Sequence, residues 1–153
     1  MHESKQGYST EELLHRYRFI LESMSEGVYG LDANGNATFV NNAAETLTGW
    51  AAEDLIGKSI HQYHHHSFED GQHYPQQECP IYQCLKDGRT RYNESEVFWR
   101  KDGSSFPVDY SATPIVENGK ISGAVVVFKD IRERKLAQEN LTEALQQVQR
   151  LKE

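Results

Sequence analysis

The sequence predicts an α+β domain in which one antiparallel sheet carries short helices on one face. Strand-like runs are joined by tight turns at Asn34-Gly35, Asp102-Gly103 and Asn118-Gly119. Several short helical segments separate the first two strands from the last three, and a helix flanks the set at each end. Because strands joined by tight turns pair antiparallel, a single sheet with helices packed on it is the economical arrangement.

The first predicted element is a helix from about residue 10 to residue 24. Ser9-Thr10-Glu11-Glu12 has the form of a capping box, in which a hydroxyl is answered three residues later by a carboxylate. The apolar residues behind it share one stripe of the helix. We expect this stripe to contact a second subunit or the sheet; its members are Leu13, Tyr17, Ile20, Leu21 and Met24. Residues 1–24 therefore form a predicted N-terminal amphipathic cap.

The remaining elements follow from turn residues and periodicity. Two short strands flank Asn34-Gly35, and short helices then end at Gly49, Gly57 and Gly88. The last of these begins at Cys79-Pro80, since proline suits the first turn of a helix. The predicted strands cover 28–31, 37–40, 92–100, 105–116 and 120–129, and the predicted short helices cover 43–48, 51–55 and 79–85.

The last third of the chain combines a strand with a patterned helix. The apolar run 121–128 leads into a polar helix over 132–153, whose apolar positions recur at alternating steps of three and four. This register favours the start of a parallel coiled coil, although a single helix packed on its own sheet would show the same stripe. The positions are Ala137, Leu141, Ala144, Val148 and Leu151.

Composition excludes several classes of function. A chain of 153 residues fits one domain with extensions, and its net charge of −7 argues against nucleic-acid binding. No apolar run approaches the roughly 20 residues of a membrane span, and no signal sequence is visible. Two cysteines are too few for a disulfide framework, so we expect a cytoplasmic protein. No phosphate-binding loop, nucleophile elbow or paired acid on one helical face is present, so we expect no enzyme activity.

Four segments, in order, resemble the PAS sensor family. They are Gly27-Val-Tyr-Gly-Leu-Asp-Ala-Asn-Gly35, Val40 to Trp50 with Glu53 to Lys58, Arg100 to Val108, and Asp130-Ile131-Arg-Glu-Arg-Lys135. The resemblance implies a PAS-like five-stranded antiparallel sheet of order 2-1-5-4-3 over residues 25–131, with a ligand-sized cavity between sheet and helices. It also implies a sensory role upstream of an effector, such as the histidine kinase of a two-component system or a cyclase, in a larger parent protein.

Residues 59–78 are rich in histidine and suggest a metal site. Zinc needs three or four imidazole, thiolate or carboxylate ligands, and all three types occur here. The candidate ligands are His61, His64, His65 and His66. No second matched pair of ligands is visible, and three consecutive histidines equally fit a solvated connector with one ring buried.

A haem or a flavin is the alternative cofactor. Haem-binding members of the family use a histidine on the helix before the third strand, but that helix has none here, which leaves His73 or Cys79. The reactive cysteine of the blue-light subclass is missing, so only non-covalent FAD stacked on Trp50 or Trp99 remains.

These observations lead to one expectation and one rival, beside a third alternative, a haem-, flavin- or metal-dependent redox sensor. The expectation is a sensory module that forms a homodimer through both terminal helices. A ligand or redox signal in its cavity would reach the C-terminal helix through Asp130 and Ile131. The rival is a pure protein-protein interaction domain whose cavity is filled by side chains, for which the candidates are Phe39, Tyr82, Phe98, Tyr110 and Phe128.

Overall fold

A computed structural model describes residues 7–152, and its elements follow the predicted order. The first six residues and Glu153 of the predicted terminal segments lie outside the described residues. The helices are α1 Thr10–Ser23, α2 Asn42–Thr48, α3 Ala52–Leu55, α4 Ile60–His64, α5 Pro80–Asp87 and α6 Arg132–Lys152. The strands are β1 Gly27–Asp32, β2 Ala37–Val40, β3 Arg91–Trp99, β4 Ser105–Glu117 and β5 Lys120–Asp130, and a 3-10 turn spans Gln76–Glu78.

The five strands form one antiparallel sheet in the order β2-β1-β5-β4-β3, which confirms the predicted topology. The last strand is central because it pairs with β1 on one side and β4 on the other. Its register places Val126 opposite Tyr29 and Phe128 opposite Tyr110. The valine-rich sequence of β5 suits this position, because β-branched residues pack well between two neighbouring strands.

Local signals set the element ends where the sequence predicted them. Ser9 accepts a hydrogen bond from the Glu12 amide, and the Glu12 carboxylate accepts one from the Ser9 amide, so the capping box is present. Between β4 and β5, Asn118 and Gly119 both have positive φ, at 54° and 75°. Two left-handed residues define the tight turn that matches the twist of a hairpin.

The core lies between the inner face of the sheet and helices α2 to α5. Aromatic rings from three strands meet there: the Phe98 ring stacks 5.4 Å from Tyr110 and lies tilted 5.1 Å from Phe128. Tyr29 stacks 5.1 Å from the other side of Phe128. Of the five side chains predicted to fill the cavity, Phe98, Tyr110 and Phe128 are fully buried, whereas Phe39 and Tyr82 are only half-buried.

Helix α4 is the one helix of the body that the sequence did not predict. Ser59 caps it by accepting a hydrogen bond from the Gln62 amide, and Ile60 is buried against the core. At five residues the helix is too short for an apolar period to be visible. This short helix matters because it carries two histidines into the interior.

The terminal helices lie outside the core. Within residues 7–152, neither α1 nor α6 has a buried residue, and α6 meets the body mainly at β4. Both helices expose large apolar side chains, among them Leu14, Phe19, Leu141, Leu145 and Leu151. No helix in the described part of the chain has the length and apolarity that a membrane crossing requires.

Candidate functional site

Three side chains capable of binding a metal meet beneath the sheet. His61 lies on α4, His65 follows its last residue, and Cys79 immediately precedes the first residue of α5. One ligand-capable atom from each residue lies within 4.8 Å of those of the other two. His65 and Cys79 are 0% and 1% exposed and His61 is 9% exposed, so the group is buried.

His65 connects the thiol to a carboxylate. Its Nδ1 lies 3.2 Å from the Cys79 Sγ, and its Nε2 lies 2.8 Å from the Glu96 Oε1. Glu96 also accepts hydrogen bonds from the Tyr110 and Tyr74 hydroxyls, at 2.7 and 3.0 Å. A carboxylate with three donors is held in one orientation, so it fixes the His65 ring as well.

His61 has one bound nitrogen and one free nitrogen. Its Nε2 lies 2.7 Å from the Tyr74 carbonyl oxygen and must donate, because a carbonyl can only accept. In the neutral ring, Nδ1 is then unprotonated, and it is buried without a hydrogen-bond partner. The unshared electron pair of a buried nitrogen is therefore available close to Cys79.

A bulge in β3 places Glu96 in this site. Asn93 pairs with Tyr110 and Glu96 with Val108, so β3 contains one extra residue at this point. Ser95 adopts a positive φ of 66° there. Without the bulge, regular alternation would turn the side chains of this stretch to the opposite faces.

The electrostatics of the group favour a charged pair. Burial opposes ionisation of the Cys79 thiol, but the hydrogen bond from the His65 imidazole and the charge on that ring lower its pKa to about 6. Burial likewise disfavours the charged His65 ring, but its bonds to Cys79 and Glu96 raise its pKa to about 9. Cys79 and His65 therefore form a thiolate–imidazolium pair near neutral pH.

A cysteine, a histidine and a carboxylate in line resemble the relay that activates a nucleophile in thiol hydrolases. The thiol is 1% exposed, however, and the cavity that reaches it measures only ≈ 10 Å³. That volume is close to the space of one water molecule, so an organic substrate has no room beside the sulfur. The arrangement can hold a proton or a metal ion, and it suits neither acyl nor glycosyl transfer.

A second cluster joins the sheet to the terminal helix. Asp109 of β4 is buried on the outer face and accepts a 2.8 Å bond from the Arg134 guanidinium. Burial alone would raise the pKa of Asp109, but bonds from Arg134 and the Ser95 amide hold it below its usual value. At the junction itself, Asp130 pairs with Arg132, and Ile131 is buried.

The PAS fold model matches residues 15–131 of this chain. The chain belongs to the PAS family.

Three curated relatives carry a similar segment. The alignment with the transcriptional activator RocR of Bacillus subtilis is 26% identical and covers 82% of this chain and 26% of RocR. The alignment with the signal transduction histidine-protein kinase AtoS of Escherichia coli is 28% identical and covers 82% of this chain and 19% of AtoS. The alignment with the probable diguanylate cyclase DgcE of Escherichia coli is 31% identical and covers 82% of this chain and 11% of DgcE. The chain thus spans about a quarter or less of these relatives.

Solved structures agree with the fold of this PAS domain. An RNA-binding light-oxygen-voltage receptor superposes with a TM-score of 0.71 at 18% identity, covering 98% of this chain and 41% of the receptor. The PAS domain of an HTR-like protein from Haloarcula marismortui gives a TM-score of 0.62 at 20% identity, covering 79% of this chain and 93% of that one. At these identities the likeness concerns the fold alone.

The other histidines predicted as metal ligands do not join the cluster. His64 is fully buried, stacks 5.0 Å from Tyr29, and has no hydrogen-bond partner at either nitrogen. His66 contacts the Ser67 hydroxyl and stacks on Trp99. The structure brings together His61 and His65 of the predicted metal set, and adds Cys79 from the predicted cofactor set.

The predicted cofactor residues do not surround a common space. His73 is exposed, while Trp50 packs against Tyr63 and Trp99 donates a hydrogen bond to the Ser67 carbonyl. Ligand pockets usually measure about 300–1,000 Å³. In the described part of this PAS domain, the interior space beside Cys79 is ≈ 10 Å³, which a haem or a flavin cannot enter without displacing core side chains.

Sequence reasoning missed Glu96, Tyr74 and the role of Asp109. Glu96 lies in a charged stretch beside Glu94, and nothing in the residue order distinguishes an inward carboxylate from an outward one. Asp109 alternates with the buried Val108 and Tyr110 and therefore looked solvent-facing. The bulge and the approach of α6 decide both positions.

Proposed function

We propose that this PAS domain is a sensory module that couples a change at the buried His65–Glu96 group to the position of α6 in a larger signalling protein. One observation carries the proposal: the bulge of β3 touches both clusters. Glu96 bonds His65 on the inner face, and the adjacent Ser95 amide donates to the Asp109 Oδ1 at 3.2 Å. The other oxygen of Asp109 accepts from Arg134 of α6.

The mechanism is differential stabilisation of two arrangements. A ligand, a metal ion or a redox change that alters the bonds of His65 alters the forces on Glu96 and on the bulge beside it. A bulge is one extra residue held by few bonds, so small changes at Glu96 shift the Ser95 amide. Asp109 would then hold Arg134 more or less firmly, which biases the orientation of α6.

A second route leads along β5. Val125 to Phe128 lie at the centre of the sheet, and the strand ends at Asp130, which pairs with Arg132. The Ile131 amide donates to the Pro107 carbonyl, so the start of α6 is bound to β4 by backbone as well. Asp130 and Ile131 thus form the hinge of the proposed transmission, with residues 25–131 as sensor and 132–153 as output helix.

The proposed partners are a second copy of the chain and an effector domain. The exposed apolar side chains of α1 and α6 support a homodimer, because nothing among residues 7–152 covers them. The relatives place PAS domains in a histidine kinase and a diguanylate cyclase, which supports an effector of one of these classes for this chain.

The rival function, a protein-interaction domain without a small molecule, is favoured by one observation. Aromatic rings of Phe98, Phe106, Tyr110 and Phe128 fill the space between sheet and helices. The two functions differ in one respect: transmission requires that a change at Glu96 reaches α6.

Amide hydrogen exchange on the full chain tests the coupling. Glu96→Gln should speed exchange in the first turns of α6, around Arg134, by several-fold, whereas Glu117→Gln, at the exposed far end of β4, should not. Arg134→Gln should produce the same loosening and make the Glu96 substitution ineffective. If Glu96→Gln changes exchange only in β3 and its immediate contacts, the proposed coupling is wrong.

A further inference from the structure

The group formed by His61, His65 and Cys79 has the donor set of a metal centre. Two imidazole nitrogens and one thiolate sulfur are ligands that zinc and similar first-row ions prefer. The His65 Nδ1 and the Cys79 Sγ are 3.2 Å apart, and all three ligand atoms lie within 4.8 Å of one another. In a tetrahedral zinc site with bonds of about 2.0–2.3 Å, neighbouring ligand atoms lie roughly 3.3–3.7 Å apart. The widest separation therefore needs to close by about 1 Å.

The second ring nitrogens are arranged as they are in metal centres. Histidines that bind a metal through one nitrogen usually donate the other N–H to a carboxylate or a backbone carbonyl. Here the His65 Nε2 meets the Glu96 carboxylate, and the His61 Nε2 meets the Tyr74 carbonyl. Both bonds leave Nδ1 as the ligand atom, and the His65 Nδ1 faces the sulfur directly.

An unpartnered nitrogen distinguishes this group from a hydrogen-bonded relay. A relay from Glu96 through His65 to Cys79 needs no third residue, yet the His61 Nδ1 is buried beside it without a partner. A buried acceptor that is left without a partner destabilises the folded state. A metal ion satisfies that nitrogen and the thiolate together.

We propose that His61 Nδ1, His65 Nδ1 and Cys79 Sγ bind a transition-metal ion of the zinc type, with a fourth position open to water. The cavity of ≈ 10 Å³ lined by His61, Cys79 and Gln76 has space for one such water. On binding, the ion replaces the proton shared between the His65 Nδ1 and the Cys79 Sγ, and that proton leaves to solvent. The ion's two positive charges then face one thiolate and, through His65, the Glu96 carboxylate.

The site also has an approach from the surface. Tyr74 and Glu96 line an open groove between β3 and the segment 67–72. The proposal deepens the proposed function, because a metal on His65 would be the signal read by Glu96, but binding itself is measured without reference to α6.

Cobalt(II) binding to the chelator-treated, tag-free full chain tests the site. Cobalt substitutes for zinc and reports its ligands: we expect one equivalent, a thiolate-to-cobalt charge-transfer band, and the intense visible bands of four-coordinate cobalt. Zinc should displace the cobalt and abolish both. Cobalt bound without the charge-transfer band would overturn the assignment of Cys79, and so would the absence of binding.

Matched variants separate this site from the other histidines and cysteine. Cys79→Ser, His61→Gln and His65→Gln should each lower zinc affinity at least 100-fold, measured by competition with a chromogenic chelator. Glu96→Gln should lower it about 10- to 100-fold, as loss of an outer-shell partner does. His66→Gln, His73→Gln and Cys84→Ala should change it less than threefold. The opposite pattern, with loss in the His66 or His73 variants, would overturn the proposal.

A measurement on the unmodified chain covers variants that fail to fold. Cadmium-113 NMR of the wild-type protein should give one resonance in the range of mixed nitrogen and sulfur ligation, and zinc should protect Cys79 from alkylation relative to Cys84. A shift typical of nitrogen and oxygen ligands would contradict the site. Metal binding with no effect on α6 exchange would instead leave the site intact and count against the transmission proposal alone.

Discussion

At the scale of single residues, adjacent histidines occupy opposite environments. His65 has a partner at each nitrogen, and its pKa is raised to about 9. His64 has none, and burial together with the positive charges expected on its neighbours lowers its pKa to about 3. His64 and His65 are adjacent at the end of α4, yet the His65 ring is charged and the His64 ring is neutral and packs like an aromatic core residue.

The stability of the fold should increase when His64 is replaced by an apolar ring, because its polar nitrogens make no hydrogen bond. The ring stacks on Tyr29 and lies tilted against Phe98, and both nitrogens are buried without partners. Replacing His64 with Phe keeps the stacking and removes the unsatisfied atoms, so we expect the free energy of unfolding to rise by about 1 kcal/mol. Urea unfolding followed by fluorescence measures it.

The matched control is His73→Phe at an exposed position, which should change stability by less than about 0.5 kcal/mol. A loss of stability in His64→Phe would contradict the view that the polarity of this ring destabilises the core.

At the scale of elements, Asn41 connects three of them. Its side-chain oxygen accepts from the Val28 and Ala44 amides, and its side-chain nitrogen donates to the Leu21 and Glu26 carbonyls. One buried side chain thus caps α2, holds β1 and fixes the end of α1. The contacts with Leu21 and Val28 join residues 20 and 13 positions apart, so no local sequence signal indicates them.

Asn41→Ala should therefore cost more than an ordinary helix cap, which contributes about 1 kcal/mol. We expect the free energy of unfolding to fall by roughly 2–4 kcal/mol, because several buried backbone groups lose their partners. Asn42→Ala, one residue further and exposed, should cost less than about 1 kcal/mol. Equal effects of the two substitutions in thermal unfolding would contradict this role of Asn41.

The anchor of α6 on β4 should depend on pH. The folded state holds the pKa of Asp109 below its usual value of about 3.9. The stability that this carboxylate contributes is therefore complete above pH of about 4 to 5 and is lost as the pH falls through the lowered pKa. In that acid range, amide hydrogen exchange in α6 near Arg134 should accelerate relative to amide exchange in the strands of the sheet.

Asp109→Asn is the control, because an amide cannot lose or gain the charge that Arg134 pairs with. In this variant α6 should be loosened at all pH values, and the additional acid-dependent step near Arg134 should vanish. An acid step that persists in the variant would assign it to another carboxylate.

At the scale of the whole molecule, the terminal helices present apolar surface that the body does not cover. In α6 the exposed residues include Leu141, Val148 and Leu151 of the predicted register, and also Leu136 and Leu145 outside it. The stripe is thus wider than a strict coiled-coil seam. With residues 1–24 and 132–153 as the contact regions, we expect a parallel dimer in which α1 adds to the seam.

Sedimentation of the full chain tests the dimer. Leu141→Asp combined with Val148→Asp places four like charges in the seam of a dimer, so the chain should become monomeric or at least tenfold weaker in association. Thr142→Asp combined with Gln146→Asp makes the same change of charge outside the register and should leave the dimer intact. An unchanged oligomeric state in the first variant would rule out α6 as the contact.

The sequence by itself determined the α+β class, most element ends and the positions of the turns, because these depend on neighbours within a few residues. Asn118-Gly119 specifies its hairpin, Ser9 with Glu12 specifies its helix start, and the four family segments together indicate the sheet order. The interpretation of residues 59–78 as a possible metal region also arose from local composition.

Only the tertiary structure decided which residues of that region belong together. His61 and His65 share the interior with Cys79, 14 residues after His65, because α4 and α5 both pack on the inner face of the sheet. Glu96 reaches them because β3 bulges, and Asp109 becomes an anchor because α6 crosses it. These contacts join residues from 14 to 31 positions apart, and no local propensity encodes the register or the packing that brings such residues within bonding distance.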